Sequence, residues 1–474
     1  MALHATRPAL DLQRSFLLLL VAASCAAVGA GLAFVGVRLG ALGPLFVIGL
    51  PAAGILAALS FDRPLIGIAA IVISFPFGTI AIPTGSVTLQ AVEVAVVLVT
   101  VVVALHRLAR GTTMLPWTSH LWWYLALIGW TLIALPSAID QALALKQIAQ
   151  LVGGLLLATS LVAACRDMSD VRRLMTLFLA VAAGIAIVAL LNGQQLDAGF
   201  GGSYVSGRAK GTFDQPNQLG SFSAVAALVG TGLILGARRW GERMLIIGCL
   251  IVVAGAMLLS LSRGAWIGAA GAALFLALAL REYRRLILAV SIPLLVLGAM
   301  AGAIAPSNPQ VVVVTQRVES LTVLSPYDNR PAIWAEAFRE IRADPWTGQG
   351  PGSFPVASAR ASSEATTSSA QHAHNMWLTW AAESGLPGAL ILTGFIAALA
   401  VAGAQAARAA TDARDRALVI GLCAGLIVIA GQGTVDYTLR NAVVFFSVWT
   451  VVGGLLASWR ILTSRAPTSS VTAP

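Results

Sequence analysis

Residues 371–405 read QHAHNMWLTWAAESGLPGALILTGFIAALAVAGAQ. From Pro387 onward the run is apolar or small and carries no charge, and its length suits a hydrocarbon core of about 30 Å. Before it, a helical run from Asn375 to Ser384 stops at Gly385, a good C-cap residue, and Pro387 suits the first turn of a new helix. The stretch reads as a short helix, a Gly-Leu-Pro-Gly break, then a transmembrane helix. Trp377 and Trp380 are three apart and share a face, as in a helix lying at a membrane interface.

The same apolar signal recurs along the chain. Of 474 residues, 58% are hydrophobic and 11% charged, with a mean hydropathy of +0.85. Such poverty of charge excludes a soluble protein. Apolar runs lie near 15–37, 41–60, 64–82, 89–105, 120–136, 147–165, 174–191, 218–236, 244–261, 265–280, 286–304, 387–405, 417–434 and 441–459. The expected fold is an all-α polytopic integral membrane protein. It has about twelve to fourteen transmembrane helices and one long late periplasmic loop containing short helices. Its expected divisions are an N-terminal transmembrane bundle over 1–304, with a periplasmic loop at 192–217, and a periplasmic loop with its interfacial helix over 305–385. C-terminal transmembrane helices over 386–460 and a cytoplasmic tail over 461–474 follow.

The net charge of +10 suggests nucleic acid only until the charges are located. With the N-terminus cytoplasmic, clusters such as Arg172-Arg173, Arg238-Arg239, Arg284-Arg285 and Arg414 with Arg416 fall in short cytoplasmic loops. That is the positive-inside pattern, so the basic balance records topology and no nucleic-acid partner is expected. Cys25, Cys165, Cys249 and Cys423 lie in or beside apolar runs and suggest neither a disulfide framework nor a zinc site.

With that orientation the loops at 192–217 and 305–373 and the Ser262-Arg263-Gly264 turn share the outer face and carry most of the unusual polar residues. In the long loop, Arg330-Pro331 opens a helix to Arg342 with an apolar stripe of Ile333, Trp334, Ala337, Phe338 and Ile341. Gly348-Gln349-Gly350-Pro351-Gly352 is a tight turn, and 356–370 is small, polar and mobile by composition.

His374 precedes the short helix, where the helix dipole disfavours an imidazolium, and a neutral imidazole is what a general base needs. The plainer reading is a polar residue at a helix start, with tryptophans as anchors. Arg208, Lys210 and Arg263 are cations on the side where such residues are depleted. They suit a phosphate or diphosphate, or else snorkel to lipid headgroups. Asp436 and Arg440 flank the last outer turn. They orient a sugar acceptor or, on the simpler reading, pair with each other at the surface. Glu93 lies well inside a span as a functional candidate, or near its end. Glu383, nine positions past His374, falls on the opposite helix face and cannot orient that imidazole. The outer loops hold no paired-Asp metal motif, Walker loop or dinucleotide fingerprint, so an enzyme here needs a preactivated lipid-linked donor.

His374-Asn375, followed after nine residues by Gly385-Leu386-Pro387-Gly388, resembles the signature of bacterial O-antigen ligases, whose superfamily includes O-antigen polymerases and O-linked protein oligosaccharyltransferases. Gly211-Thr212-Phe213 with Pro216-Asn217, Ser262-Arg263-Gly264, and Arg330 followed by Trp334, Pro345 and Gly348-Gln349-Gly350 resemble the same superfamily. The resemblance covers most of 200–440. It implies glycosyl transfer at the periplasmic face of the bacterial inner membrane, from polysaccharide on undecaprenyl diphosphate to a sugar hydroxyl of lipid A–core. It implies a metal-independent, inverting reaction without cofactor. His374 would be the base, and Arg208, Lys210 and Arg263 would hold the diphosphate. His372, Asn375, Arg330, Asp436 and Arg440 are further candidates to support them. His372 departs from the pattern and leaves the choice of base open. A polymerase would change only the acceptor. A lipid-linked sugar flippase is the reading from another class, although such folds put ionisable groups near the midplane rather than at one face.

Overall fold

The computed structural model describes residues 54–464, apart from 79, 85–86, 114–115, 193–194, 198–204, 282–283, 285–329 and 363–371. Eight described helices are long and apolar enough to cross a membrane. Numbering the principal helices in chain order, they are α1 Pro64–Ser74, α2 Ala91–Ala109, α3 Trp122–Ile133, α4 Gln141–Ala164, α5 Met168–Leu191, α6 Pro216–Leu235 and α7 Trp240–Leu259. The series continues with α8 Arg263–Ala279, α9 Arg330–Ala343, α10 Phe354–Ser362, α11 Met376–Ala409, α12 Ala413–Gly433 and α13 Ala442–Thr463.

The eight long helices are α2, α4, α5, α6, α7, α11, α12 and α13, and each coincides with an expected span. The expected spans at 64–82, 120–136 and 265–280 become the shorter helices α1, α3 and α8. Those at 15–37 and 286–304, and most of 41–60, lie outside the described residues. Two antiparallel strand pairs interrupt the helices: β1 Ala81–Thr84 with β2 Val87–Gln90, and β3 Gln195–Asp197 with β4 Val205–Arg208.

The core forms around α13, which is apolar on all sides and buried along nearly its whole length. Close helix approach comes from small residues, as expected where lipid and side chain are equally apolar. On α6 and α12, Gly232 and Gly421 face each other. A Cβ at Gly232 would stand 2.8 Å from the Gly421 Cα, so a side chain there would part the helices. Glu93 resolves to the span's end: it sits in the first turn of α2 and accepts the Gln90 N–H at 2.7 Å, a capping box rather than an intramembrane acid.

The arginine-rich loops gather at one end of the bundle. Arg172 pairs with Asp415 (3.3 Å), Arg238 with Asp412 (3.1 Å) and Arg414 with Glu242 (3.0 Å), while Arg460 donates to the Cys165 carbonyl at 2.6 Å. Three connections that the charge pattern assigned to one side are thus joined to each other.

At the other end, α9 packs its Ala337 against Phe354, Ala373 and Ala382, with Ile333 and Ile341 alongside. Phe338, expected on that stripe, is 46% exposed, because the buried face runs through Ile333, Ala337 and Ile341. Residues 356–362, part of the stretch expected to be mobile, belong to α10, which begins at Phe354. Phe354, buried in that small core, anchors it. Residues 363–370 lie outside the described residues.

The break at Gly385 is confirmed: α11 loses helical geometry at Ser384 and Gly385, where φ is +70°. A Cβ on Gly385 would lie 1.9 Å from the Trp346 carbonyl oxygen. The freed backbone is used, since Leu386 N–H donates to Pro345 O (2.9 Å) and Gln349 N–H to Ala382 O (2.8 Å). The turn at Pro345–Gln349 is therefore bound to the kink. Of the two tryptophans, Trp377 is partly exposed, but Trp380 is buried in the bundle core and is no interfacial anchor.

Candidate active site

Five separate segments meet at this end of the bundle, and backbone and side-chain hydrogen bonds set their places. Strand β4 leads into Ala209, whose N–H caps α7 by donating to Leu259 O at 2.9 Å. The preceding Arg208 donates through Nε to Ser260 O at 2.9 Å and through its guanidinium to Asn217 Oδ1 at 2.5 Å. The Ser262 side chain caps α8 and so fixes Arg263 at that helix's first position. Arg330 opens α9. The α12–α13 connection carries Asp436 and then a 3₁₀ turn, Thr438–Arg440, whose Thr438 hydroxyl accepts from Ser221 of α6 at 3.0 Å.

His374 sits one position before the α11 N-cap, Asn375, with φ of +48°. Asn375 accepts the Leu378 N–H at 3.0 Å and donates to Thr434 O at 2.9 Å, which ties the helix start to the α12 end. That tie brings the His374 Nδ1 to 2.9 Å from Asp436 Oδ1. Asp436 is 4% exposed and also accepts from Tyr437 N–H (2.9 Å) and Asn217 Nδ2 (2.8 Å). Burial works against its ionisation, but the hydrogen bond from His374 and the neighbouring donors outweigh it and hold the carboxyl below its usual range. An ionised carboxylate only accepts, so the proton of this contact lies on Nδ1 and a neutral His374 ring keeps its lone pair on Nε2.

The result is a chain of contacts, Arg208–Asn217–Asp436–His374. The expectation that Asp436 and Arg440 pair at the surface is corrected. Asp436 is buried on His374, and the 3₁₀ turn carries Arg440 away to Glu383, which also accepts the Phe354 N–H at 3.1 Å. Glu383 makes no contact with His374, as its helix face required.

His372 is buried, and its Nδ1 accepts the His374 N–H at 3.1 Å. Burial, then the neighbouring His374, push its pKa down to about 3, so it stays neutral. His374, with 29% of its side chain exposed, is the accessible ring of the pair.

Beside Asp436 lies a small pocket of about 90 Å³ lined by Arg208, Asn217, Leu261, Ser262, Arg263, Gly264, Arg330 and Asp436. It gathers three guanidiniums around one carboxylate, a surplus of positive charge that suits a phosphate-bearing ligand. Of the cations singled out in the sequence, Arg208 and Arg263 line it and Arg330 joins them. Lys210 is partly buried and is not among its lining residues. Asn217 is the residue that sequence reading missed as a site member. It was visible only as part of the Pro216-Asn217 motif.

Deeper in the bundle an apolar cavity of about 800 Å³ runs from Met376, Trp380 and Tyr437 past Leu392, Phe395 and Leu399 to Ala407. From Leu392 to Ala407 it follows α11 for roughly 22 Å at 1.5 Å per residue. Such a lining suits hydrocarbon.

His372, His374 and Asp436 also bring three potential metal-ligating atoms within 4.8 Å of one another. Their hydrogen bonds are those of proton-bearing groups. His372 Nδ1 is committed to a backbone N–H, which leaves its proton on Nε2, and that nitrogen is the one 4.0 Å from Asp436. A cation bound there would have to displace the protons of both rings.

Residues 247–393 match the family model described as O-antigen ligase. The match covers about a third of the chain, and that region is similar to the O-antigen ligase family. Members of this family are membrane enzymes that transfer glycosyl groups. The matched region holds Arg263, Arg330, His372 and His374, while Arg208, Asn217 and Asp436 come from outside it. No curated protein matches the chain. One chain solved in a peptidoglycan synthase complex is 19% identical over 73% of this chain and 99% of its own, with a TM-score of 0.43, a likeness that carries no argument.

Proposed function

We propose that this protein is an O-antigen ligase. It transfers O-antigen polysaccharide from undecaprenyl diphosphate to a sugar hydroxyl of lipid A–core at the periplasmic face of the bacterial inner membrane. The observation that carries this reading is the His374–Asp436 contact at 2.9 Å beside a pocket of three arginines. A glycosyl transfer needs both parts. A sugar hydroxyl is a weak nucleophile at neutral pH, and a positioned base takes its proton as it attacks. His374 Nε2 supplies that lone pair, and Asp436 stabilises the imidazolium that forms. The departing diphosphate gathers negative charge, which Arg208, Arg263 and Arg330 neutralise. With the leaving group neutralised in this way, no separate acid is required.

Attack on the face opposite the diphosphate inverts the anomeric centre. The apolar cavity beneath suits the carrier's hydrocarbon, and the basic end of the bundle supports a cytoplasmic assignment for the other face. Neither the base nor the cationic pocket calls for a metal. The polymerase reading keeps every step and exchanges the acceptor for a second lipid-linked repeat unit.

The deciding experiment incubates the reconstituted protein with lipid-linked O-antigen and purified lipid A–core, with and without chelator. A lipopolysaccharide ladder with matching release of undecaprenyl diphosphate is the expected result, unchanged by chelator. Elongation of the lipid-linked glycan alone identifies a polymerase. Movement of intact donor across the bilayer without release identifies a flippase. Loss of transfer on chelation, restored by magnesium, defeats the metal-free mechanism.

A further inference from the structure

We propose that His372 is a positioning residue for His374: its Nδ1 holds the His374 N–H, and with it the backbone turn from which the His374 ring reaches Asp436. The role rests on the reading of His374 as the base.

At φ +48°, His374 occupies a left-handed conformation that side chains other than glycine seldom adopt. Such a conformation persists only where surrounding contacts over-determine it. Here they do. Ala373 N–H donates to Thr379 Oγ1 at 3.1 Å, and Ala373 C=O accepts from Trp334 Nε1 at 2.8 Å. The Asn375 side chain caps α11. The remaining donor of the turn, His374 N–H, is taken by His372 Nδ1 at 3.1 Å.

The ring geometry supports the assignment. The two imidazoles meet edge to face with centroids 4.4 Å apart, and His372 also lies edge-on to Tyr437 at 5.9 Å. His372 is buried and packed on both sides, so its Nδ1 is a fixed acceptor. Burial also keeps it neutral, which preserves the Nδ1 lone pair across the working pH range. His372 itself is walled off from an acceptor sugar, so it acts through His374 rather than on substrate.

The test is a double-mutant cycle with a conservative rescue. His372→Leu removes the acceptor. His372→Asn restores it, because the asparagine Oδ1 hangs from Cγ as the histidine Nδ1 does. His372→Leu should slow transfer per folded protein by about 10–100-fold through kcat, with donor KM little changed. In a His374→Ala background the same change should cost no more than about twofold, since the residue it serves is gone. His372→Asn should recover most of the rate.

Hydrogen exchange of the peptide over 372–378 supplies a second readout that needs no activity. The His374 amide should exchange faster in His372→Leu and remain protected in His372→Asn. Should His372→Leu fail to fold, His372→Gln, with its acceptor displaced by one bond, takes its place. Equal losses in both backgrounds, no rescue by asparagine, or unchanged exchange would overturn the proposal. If the parent shows no glycosyl transfer, the proposed function fails, while hydrogen exchange still decides the His372 contact.

Discussion

Asp436→Asn is the sharpest probe of the site, because the structure fixes what the change does. Three donors converge on the two carboxylate oxygens: His374 Nδ1 at 2.9 Å and Tyr437 N–H at 2.9 Å on Oδ1, and Asn217 Nδ2 at 2.8 Å on Oδ2. An amide offers one oxygen and one NH₂. With the NH₂ towards His374, it opposes the Tyr437 N–H and forces the His374 proton onto Nε2, the atom proposed as base. With the NH₂ towards Asn217, that side chain must flip and turn its own NH₂ against Arg208. In either orientation the negative charge facing the imidazolium is lost. A hydrogen bond to a charged group contributes about 1.5–3 kcal/mol, and a base locked in the wrong tautomer loses most of its effect. Together they predict a fall in kcat of about 10²–10⁴-fold, or roughly 2.7–5.4 kcal/mol of barrier. The assay is transfer rate per folded protein from lipid-linked donor to lipid A–core, alongside the melting temperature. A variant that folds and transfers within about threefold of the parent rate would refute the role given to Asp436.

Three further outcomes are expected. His374→Ala should insert and fold normally yet lose about 10²–10⁴-fold in transfer, measured with the same assay. Arg263→Ala should act on the leaving group, so its defect should include weaker retention of lipid-linked donor, read by equilibrium binding of the donor without acceptor. Glu340 is buried on α9 with both oxygens unpartnered, and burial, then the negative charges of Glu336 and Glu383, push its pKa from 4.5 up to about 8. The folded state therefore keeps a proton that the unfolded chain releases. Stability from this group is full below the unfolded value and is lost as pH rises towards about 8. Glu340→Gln should flatten that fall, measured as melting temperature between pH 5 and 8.

Local physics made much of this protein legible from its residues. Apolar runs long enough to cross a bilayer announce themselves without reference to anything else in the chain, and eight of the runs named are the eight long helices observed. The break at Gly385 was equally local, since a glycine before Leu-Pro-Gly can take the positive φ found there. Positive charge concentrated in alternate loops marked the end of the bundle where Arg172, Arg238 and Arg414 now meet their acidic partners. The same residues gave Arg208, Arg263 and His374 as candidates, because cations and imidazoles are costly in so apolar a chain.

Partnership was decided only by the tertiary structure. Asp436 and Arg440 are four apart, and spacing alone invited them to pair. The 3₁₀ turn between them sends one to His374 and the other to Glu383, 62 and 57 positions away in the chain. Lys210 stands two residues from Arg208, yet it is not among the residues lining the pocket. Asn217 links Arg208 to an acid 219 positions on. Which of two histidines one residue apart stays accessible turned on burial and on a single backbone N–H. Helix periodicity is a property of neighbouring residues and can be read along the chain. Which side chains meet at the end of a bundle depends on how whole helices cross, and that is set by packing between segments that carry no mark of one another.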